Sequence, residues 1–402
     1  MRREISIQEL QPGMYVDEVT EQSGQLKVKS KGLVKSDKAV QLLLNKGVQK
    51  LIIDFSKSQL NDDSQSNSTE AEGQAQEQPA RTIKEKQVSF ENEINKASDL
   101  YNKALEIQQN TLSDVKAGKA IDSTAIKQCA AGLVKSAFRN SDALACMTRL
   151  RTKNNYLMEH SVNCSVLMTL FAKHINLDQE TIEQIATAAL VADIGMIAVP
   201  DDILTKTSSL NEGDWEKIKA HIELGSKVLK KASTLADIGL QMIVEHHERV
   251  DGQGYPNQLA GNDISLYGKM FAIVDAYDSI TADRPYRKAK SAMSAFKMLR
   301  AESGSHFDEK LVNEFINCIG IHPVGTLVKL ESQKLGIIIK GNTSQPLKPK
   351  VNVFYSVRGK CHIDPKIIDL SQSGCTDSIE MSVRPEDFKI DMLKFFRQVL
   401  LS

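Results

Sequence analysis

The middle of the chain contains six side chains of types that bind metal ions, on or beside the apolar faces of predicted helices. They are His160, Asp193, His221, His246, His247 and Asp275. Asp193 is the most informative, because it continues an apolar helical stripe and an ionised carboxylate is costly to bury unless it is paired or binds a metal. The six residues belong to five separate predicted helices, and imidazole and carboxylate are ligands of zinc, manganese, iron and similar ions. The pattern therefore predicts a divalent-metal centre inside a helical region.

These residues also have plainer interpretations. A single histidine on an apolar face, such as His160, is more often a core histidine with one hydrogen bond, and Asp193 alone could pair with an arginine. A purely structural interpretation makes the region a scaffold of packed, metal-free histidines. It leaves unexplained why five helices would direct imidazole and carboxylate groups toward one interior.

The elements that must position these residues follow from the apolar periodicity. A helical period extends from residue 88 to 318, with patterns at 157–171, 182–193, 214–231, 235–248, 268–281, 292–302 and 309–318. Short β-type runs precede it in residues 1–55, which also contain a turn at 11–13 and a helical pattern at 39–44. Further β-type runs follow at 326–330, 335–340, 351–355 and 367–370, before a helical pattern at 387–400. Residues 56–80 are rich in Ser, Gln, Asn, Asp and Glu and predict a flexible linker.

The predicted fold is mostly α, with a helical bundle, a small β-rich N-terminal domain and a short β-strand C-terminal extension. The expected boundaries are 1–55 for the N-terminal domain, 56–87 for the linker, 88–150 for a helical lead-in, 151–322 for the bundle, and 323–402 for the extension with its terminal helix. A chain of 402 residues has ample material for two or three such units.

Composition excludes several classes of function. Lys plus Arg and Asp plus Glu both number 51, so no overall basic field exists to hold DNA or RNA. The longest apolar stretch, residues 185–199, is interrupted by Thr187 and Asp193, and the basic N-terminus lacks the apolar core of a signal peptide. Six scattered cysteines without a CxxC pair indicate free thiols and a reducing, cytoplasmic compartment.

Two long segments carry a recognisable signature. Residues 245–256 read Glu-His-His-Glu-Arg-Val-Asp-Gly-Gln-Gly-Tyr-Pro, and residues 275–287 read Asp-Ala-Tyr-Asp-Ser-Ile-Thr-Ala-Asp-Arg-Pro-Tyr-Arg. With residues 192–204, 219–225 and 304–308 in matching order, they resemble the HD-GYP family, metal-dependent phosphodiesterases of the HD superfamily that hydrolyse cyclic di-GMP to pGpG or GMP. The resemblance covers about residues 154–323. The first 55 residues resemble a small domain that often precedes HD-GYP domains in gamma-proteobacteria.

The resemblance implies roles for individual residues. It places one metal on Asp193, His221, His246 and His247, and a second on His160, Asp275 and the shared Asp193. It also implies Asp193 and Asp278 as catalytic carboxylates, Asp278 in a supporting position, and Arg284, Arg287 and Tyr255 as substrate-binding residues. The implied cofactor is one or two divalent ions such as manganese or iron. The implied partners are cyclic di-GMP and, in addition, a partner protein or a second copy of the chain.

The sequence departs from the family pattern at three positions. Ala192 stands where the His-Asp dyad should have its histidine, so one metal ligand is missing. Met196 stands where many members have a lysine, and Tyr156 stands where members with three metals have a glutamate, which argues against a trinuclear site. Two functional hypotheses follow: a phosphodiesterase of reduced or metal-conditional activity, or a degenerate domain that binds cyclic di-GMP or a partner protein without cutting the nucleotide.

Overall fold

The computed structural model describes residues 2–7, 10–11, 14–22, 31–34, 40, 43, 48–54, 86–149, 156–284, 287–388 and 390. The chain divides into two compact units, residues 1–77 and 78–402. The predicted turn at 11–13, helix at 39–44, linker at 56–87 and terminal helix at 387–400 lie wholly or mostly outside the described residues.

The first unit contains a four-stranded antiparallel sheet. Its strands are β1 (Arg2–Ser6), β2 (Tyr15–Gln22), β3 (Gly32–Leu33) and β4 (Val48–Asp54), in the order β1-β4-β2-β3. Leu51 and Ile53 alternate along the central strand β4 and are completely buried, as expected for a sheet with one apolar face. The predicted β-rich character of this region is confirmed.

The second unit is mostly helical. Its α-helices are α1 (Phe90–Lys116), α2 (Ser123–Arg139), α3 (Ser141–Met147), α4 (Tyr156–His174), α5 (Gln179–Val191), α6 (Asp201–Leu204), α7 (Glu212–Lys219), α8 (His221–Lys231), α9 (Asp237–Glu245), α10 (Leu266–Thr281), α11 (Ala292–Ala301) and α12 (Glu309–Ile319). Single 3-10 turns occur at Ile194–Ala198, Gly261–Asp263 and Pro385–Phe388. The pattern predicted as one helix at 214–231 forms two, α7 and α8, which meet at Ala220.

Helix α4 lies at the centre of the bundle. All of residues 159–172 are buried, and the helix packs against α1, α5, α10 and α12. A helix that is buried on every side belongs to the interior of a domain. The polar residues on α4, including His160, are therefore held in fixed positions by packing.

One apolar stretch meets the length and composition of a membrane span. Residues Gln179–Ala198 form a 20-residue segment with a mean hydropathy of 1.4, and 61% of it is buried inside the protein. The core helix of a water-soluble protein meets the same criteria, and here the segment contains α5, which packs against α4. It provides little support for a membrane span.

The five-stranded antiparallel sheet after the bundle has the order β8-β7-β6-β5-β9. Its strands are β5 (Leu327–Leu330), β6 (Lys334–Lys340), β7 (Lys350–Ser356), β8 (Cys361–Asp369) and β9 (Ile379–Ser382). The buried residues of β5, β6 and β7 join the same apolar core as the helices. The predicted β-strand extension is confirmed, and β9 was not predicted.

Helices α1 and α2 also belong to this core. Ile94 on α1 and Leu133 on α2 are completely buried within it. Glu93 is buried beside them and accepts hydrogen bonds from Ser136 Oγ at 2.8 Å and from the Arg139 guanidinium at 2.6 and 2.8 Å. The helices therefore form one body with the bundle.

Candidate metal centre

The site is built around the end of α5, where the chain changes from an α-helix to a 3-10 turn. Ala192 directly follows the last residue of α5 and is 2% exposed, and Asp193 immediately precedes the turn Ile194–Ala198. The turn packs backbone to backbone against the start of α8. A Cβ atom on Gly195 would lie 2.0 Å from the His221 carbonyl oxygen and 2.7 Å from the Gly225 nitrogen, so glycine is required for this approach. The contact brings His221 next to Asp193.

The first group of candidate ligands consists of the histidines on α8 and at the end of α9. The Nδ1 atoms of His221 and His246 each lie 2.6 Å from a backbone carbonyl oxygen, that of Ile218 and of Ile243. These bonds fix the tautomer that leaves a lone pair on Nε2. The two Nε2 atoms are buried without a hydrogen-bond partner among the described residues, and they lie 3.6 and 4.0 Å from Asp193 Oδ1.

His247 completes this group. Its ligand atom, with those of His221 and His246, forms a cluster in which all atoms lie within 4.8 Å of one another. Its ring is 4.0 Å from the His246 ring and 5.3 Å from the His221 ring, measured between centroids. Orphaned, buried imidazole nitrogens that converge in this way fit a metal ion better than they fit a packed core.

The second group of candidate ligands lies on the other side of Asp193. His160 Nε2 lies 2.9 Å from Asp275 Oδ1 and 3.3 Å from Asp193 Oδ2. His160 Nδ1 lies 2.8 Å from Asp278 Oδ2. Asp193 thus faces the first group with one oxygen and the second group with the other. Asp278 contacts the ring nitrogen that points away from the centre, which is the position of a supporting carboxylate.

Burial governs the protonation of two histidines of the first group, His246 and His247. It lowers the pKa of His246, although Asp275 and Asp193 oppose this shift. Burial and the neighbouring His246 lower the pKa of His247 well below its usual range. Both rings are neutral at pH 7, and neutral imidazole is the form that binds metals.

The second group has the opposite balance. Burial by itself lowers the pKa of His160, but Cys164, Tyr156 and the carboxylates of Asp193 and Asp275 raise it well above its usual range. Burial raises the pKa of both carboxyls, yet the bond to His160 outweighs it, so the pKa of Asp193 is lowered and that of Asp275 falls to about 2. Binding of a cation at these three residues must therefore compete with the proton on His160.

Ala192 has no side-chain atom that could bind a metal, and Cys164 does not take the place of the missing histidine. Cys164 lies one turn after His160 on α4, with its sulfur 3.8 Å from both ring nitrogens. Burial raises the pKa of this thiol to about 12, so it is protonated at neutral pH, whereas a metal takes the thiolate. The second group is left with three candidate protein ligands, which are His160, Asp193 and Asp275.

The loop that contains Tyr255 borders the first group. The Tyr255 ring lies 4.8 Å from the His247 ring, and burial, Asp275 and Asp193 raise the pKa of its hydroxyl. The buried carboxylate of Glu248 fixes the loop by accepting hydrogen bonds from the Asn257 nitrogen at 2.7 Å and the Leu259 nitrogen at 3.1 Å. Glu248 was not singled out from the sequence, and its only signal was an acidic residue inside the motif.

Arg284 and Arg287 lie near the second group. The Arg284 guanidinium is 4.6 Å above the Tyr156 ring, which in turn stacks on His160 at 5.4 Å. Arg284 also donates to the Tyr156 hydroxyl and to Ser279 Oγ, and Arg287 donates to the Ser279 carbonyl at 2.6 Å. The Nε atom of Arg287 is buried without a partner among the described residues. Tyr156 thus occupies a stacking position between a cation and a candidate ligand.

Two domain families and several known phosphodiesterases match parts of the chain. An HD domain matches residues 142–311, and a domain of unknown function, DUF3391, matches residues 2–126. The cyclic di-GMP phosphodiesterase PA4108 of Pseudomonas aeruginosa is 36% identical over 292 residues, which are 73% of this chain and 70% of that protein. The 3'3'-cGAMP-specific phosphodiesterase 2 of Vibrio cholerae is 32% identical over 171 residues, 42% of this chain and 32% of that protein.

One solved structure also aligns with the chain. Bd1817, a HDG"Y"P protein from Bdellovibrio bacteriovorus, aligns with 78% of this chain and 98% of its own, at 15% identity and a TM-score of 0.48. The HD domain match and the extensive match to the Pseudomonas relative agree with the groups of histidine and aspartate that could bind metal in this structure. The chain belongs to the HD-GYP family.

Proposed function

We propose that this protein is a metal-dependent phosphodiesterase that hydrolyses cyclic di-GMP to pGpG or GMP. One observation carries the proposal: the buried, unpartnered Nε2 atoms of His221 and His246 face one oxygen of Asp193 while His160 contacts the other. The cyclic di-GMP phosphodiesterase of Pseudomonas aeruginosa, with which the chain shares 36% identity, supports the substrate.

The donor set fits divalent ions. His221, His246, His247 and Asp193 would hold one ion, and His160, Asp275 and the shared Asp193 would hold a second. A mixed set of imidazole and carboxylate ligands suits manganese or iron, and a bound ion lowers the pKa of water and neutralises charge on a phosphodiester.

The protein's own groups have separate tasks in this reaction. Asp193 links the two ligand groups through its two oxygens, and Asp278 orients the His160 ring through Nδ1. Arg284 and Arg287 supply the planar donor groups that suit phosphate. Tyr255 borders the first ligand group at His247, on a loop that Glu248 holds in place.

Ala192 lowers the expected activity. Loss of an outer-shell partner of a metal ligand typically costs about 10 to 100-fold in metal affinity, and loss of a ligand costs at least that, roughly 1.4 to 2.7 kcal/mol. Because only the second group lacks its histidine, we propose that this ion is weakly held and that turnover depends on the metal concentration.

The test uses purified protein, cyclic di-GMP and a series of manganese, iron, magnesium and zinc concentrations, with elemental analysis of the bound metal. We expect pGpG or GMP with at least one metal, and loss of both product and metal in His246→Ala. The matched control is His362→Ala, which removes an exposed histidine on β8 and leaves activity unchanged. Absence of product with every metal would exclude this function. A parallel assay with 3'3'-cGAMP establishes the nucleotide preference, because one similar protein is specific for that compound.

A second function is favoured by one feature, the alanine at position 192. A centre that lacks a ligand could bind cyclic di-GMP, or present a surface to a partner protein, without cutting the nucleotide. Isothermal titration calorimetry separates the two functions, because tight nucleotide binding without any product supports the binding module. The six free cysteines support a reducing, cytoplasmic location for either function.

A further inference from the structure

Two clusters, each formed by a cation, a tyrosine and a histidine, border the candidate metal centre. On one side Arg284 lies over Tyr156, which stacks on His160, at 4.6 and 5.4 Å. On the other side the Lys219 ammonium lies 5.2 Å from the centroid of Tyr255, whose ring lies 4.8 Å from that of His247. The first cluster contains an arginine already proposed to bind the substrate, whereas the lysine of the second has no proposed role so far.

Lys219 is available to a ligand. Its side chain is exposed in the last turn of α7, and within the described part of the chain it forms no ion pair with a carboxylate. Its contact with Tyr255 is a cation–π interaction, which at an exposed site is worth only about 0.5–1 kcal/mol. An anionic group can therefore join the ammonium at little cost.

The proposed substrate contains two phosphodiesters in one ring, and hydrolysis takes place at one of them. The group being cut must lie against the metal ligands, so the other must lie farther from them. Three carboxylates, those of Asp193, Asp275 and Asp278, surround the centre and repel a second anion. A cation beyond the histidine ligands would offset this repulsion, and Lys219 stands one aromatic ring away from His247.

We propose that Lys219 binds the phosphodiester that is not being cut and so favours cyclic dinucleotides over substrates with one phosphodiester. The inference rests on the proposed function, because it assumes cyclic di-GMP at the metal centre. Lys219 acts as a point charge, as lysine commonly does with phosphate. Its contribution appears in substrate binding and not in the bond-breaking step.

The experiment compares Lys219→Met, which removes the charge but keeps the aliphatic stem, with Lys217→Met. Lys217 is exposed in the same last turn of α7, so the control reproduces the loss of a cation near the helix end. Each variant is assayed with cyclic di-GMP and with bis(4-nitrophenyl) phosphate, which has a single phosphodiester. Loss of one charged hydrogen bond should raise KM for cyclic di-GMP about 10-fold in Lys219→Met, with kcat changed less than about two-fold.

We expect Lys219→Met to hydrolyse bis(4-nitrophenyl) phosphate like the parent, Lys217→Met to match the parent on both substrates, and Lys219→Arg to restore most of the affinity. A parental KM for cyclic di-GMP in Lys219→Met overturns the inference, and so does an equal loss on both substrates. If the parent binds cyclic di-GMP without cutting it, the same comparison is made on affinity, followed by the fluorescence of Trp215, the single tryptophan, one turn before Lys219. A parent that neither binds nor cuts cyclic di-GMP overturns the proposed function and the inference together.

Discussion

Replacing Gly195 by alanine tests whether the 3-10 turn sets the distance between Asp193 and His221. The added Cβ would lie 2.0 Å from a backbone oxygen and 2.7 Å from a backbone nitrogen, so no side-chain rotation relieves the contact. Ordinary van der Waals separation requires the turn and α8 to move apart by roughly 1 Å or more. Overpacking of this kind costs about 1–3 kcal/mol, and the rigid backbone on both sides places this site at the upper end. The shift also removes His221 from its place beside Asp193.

Two measurements test this reasoning on the same samples. We expect the free energy of unfolding to fall by about 3 kcal/mol and the manganese affinity to fall at least 10-fold. The control is Gly213→Ala in α7, where the new Cβ would meet only the Asn211 side chain at 3.5 Å, an ordinary contact. That variant should be at least as stable as the parent, because alanine favours a helix over glycine. If Gly195→Ala binds manganese as tightly as the parent and has the same free energy of unfolding as Gly213→Ala, the turn does not position the ligands.

Three further outcomes are expected. Ala192→His should bind metal at the second group about 10 to 100-fold more tightly than the parent and turn over faster. Unchanged metal content and rate would mean that position 192 does not adjoin the second group. Glu248→Gln should lose about 1–3 kcal/mol in unfolding free energy and raise KM through Tyr255, because one of the two backbone donors then faces an amide NH2; parental values in thermal unfolding and kinetics would contradict this. When the free metal concentration is 100 times the Kd, removing the metal with a chelator should lower the free energy of unfolding by about 2.7 kcal/mol, measured by calorimetry with and without chelator. An identical unfolding curve after chelation would show that His221 and His246 hold no ion.

Much of the centre was predictable because buried charge is rare. Asp193 and His160 lay on apolar stripes, and the structure brings both together with the other four predicted ligands in two groups that share Asp193. Their roles as ligands stay predictions. The apolar stripes did not predict how the helices pack against one another. The contact between Gly195 and His221 joins two segments by backbone shape, which apolar periodicity does not report.

Errors in the predicted elements have similar physical causes. Residues 214–231 read as one helix because the apolar pattern continues through Ala220, whose backbone angles remain helical although α7 ends there. Strand β8 begins at Cys361, six residues before the predicted run, because its outer part is exposed and has no apolar alternation. Strand β9 has four residues that are mostly exposed at the sheet edge, so no apolar pattern marks it.

The single core that joins α1 and α2, the bundle and the C-terminal sheet determines how the protein can be divided. A fragment cut to the HD match, residues 142–311, would lose α1 and α2 and the partners of apolar residues such as Phe171 on α4, whose ring packs edge-on against Phe315. Uncovering one large apolar side chain costs about 1.5–3 kcal/mol, and several such losses exceed the stability of a typical domain. A fragment that folds must therefore keep the residues of this core from Phe90 to Ile390, and a shorter fragment would aggregate through its exposed apolar helix faces.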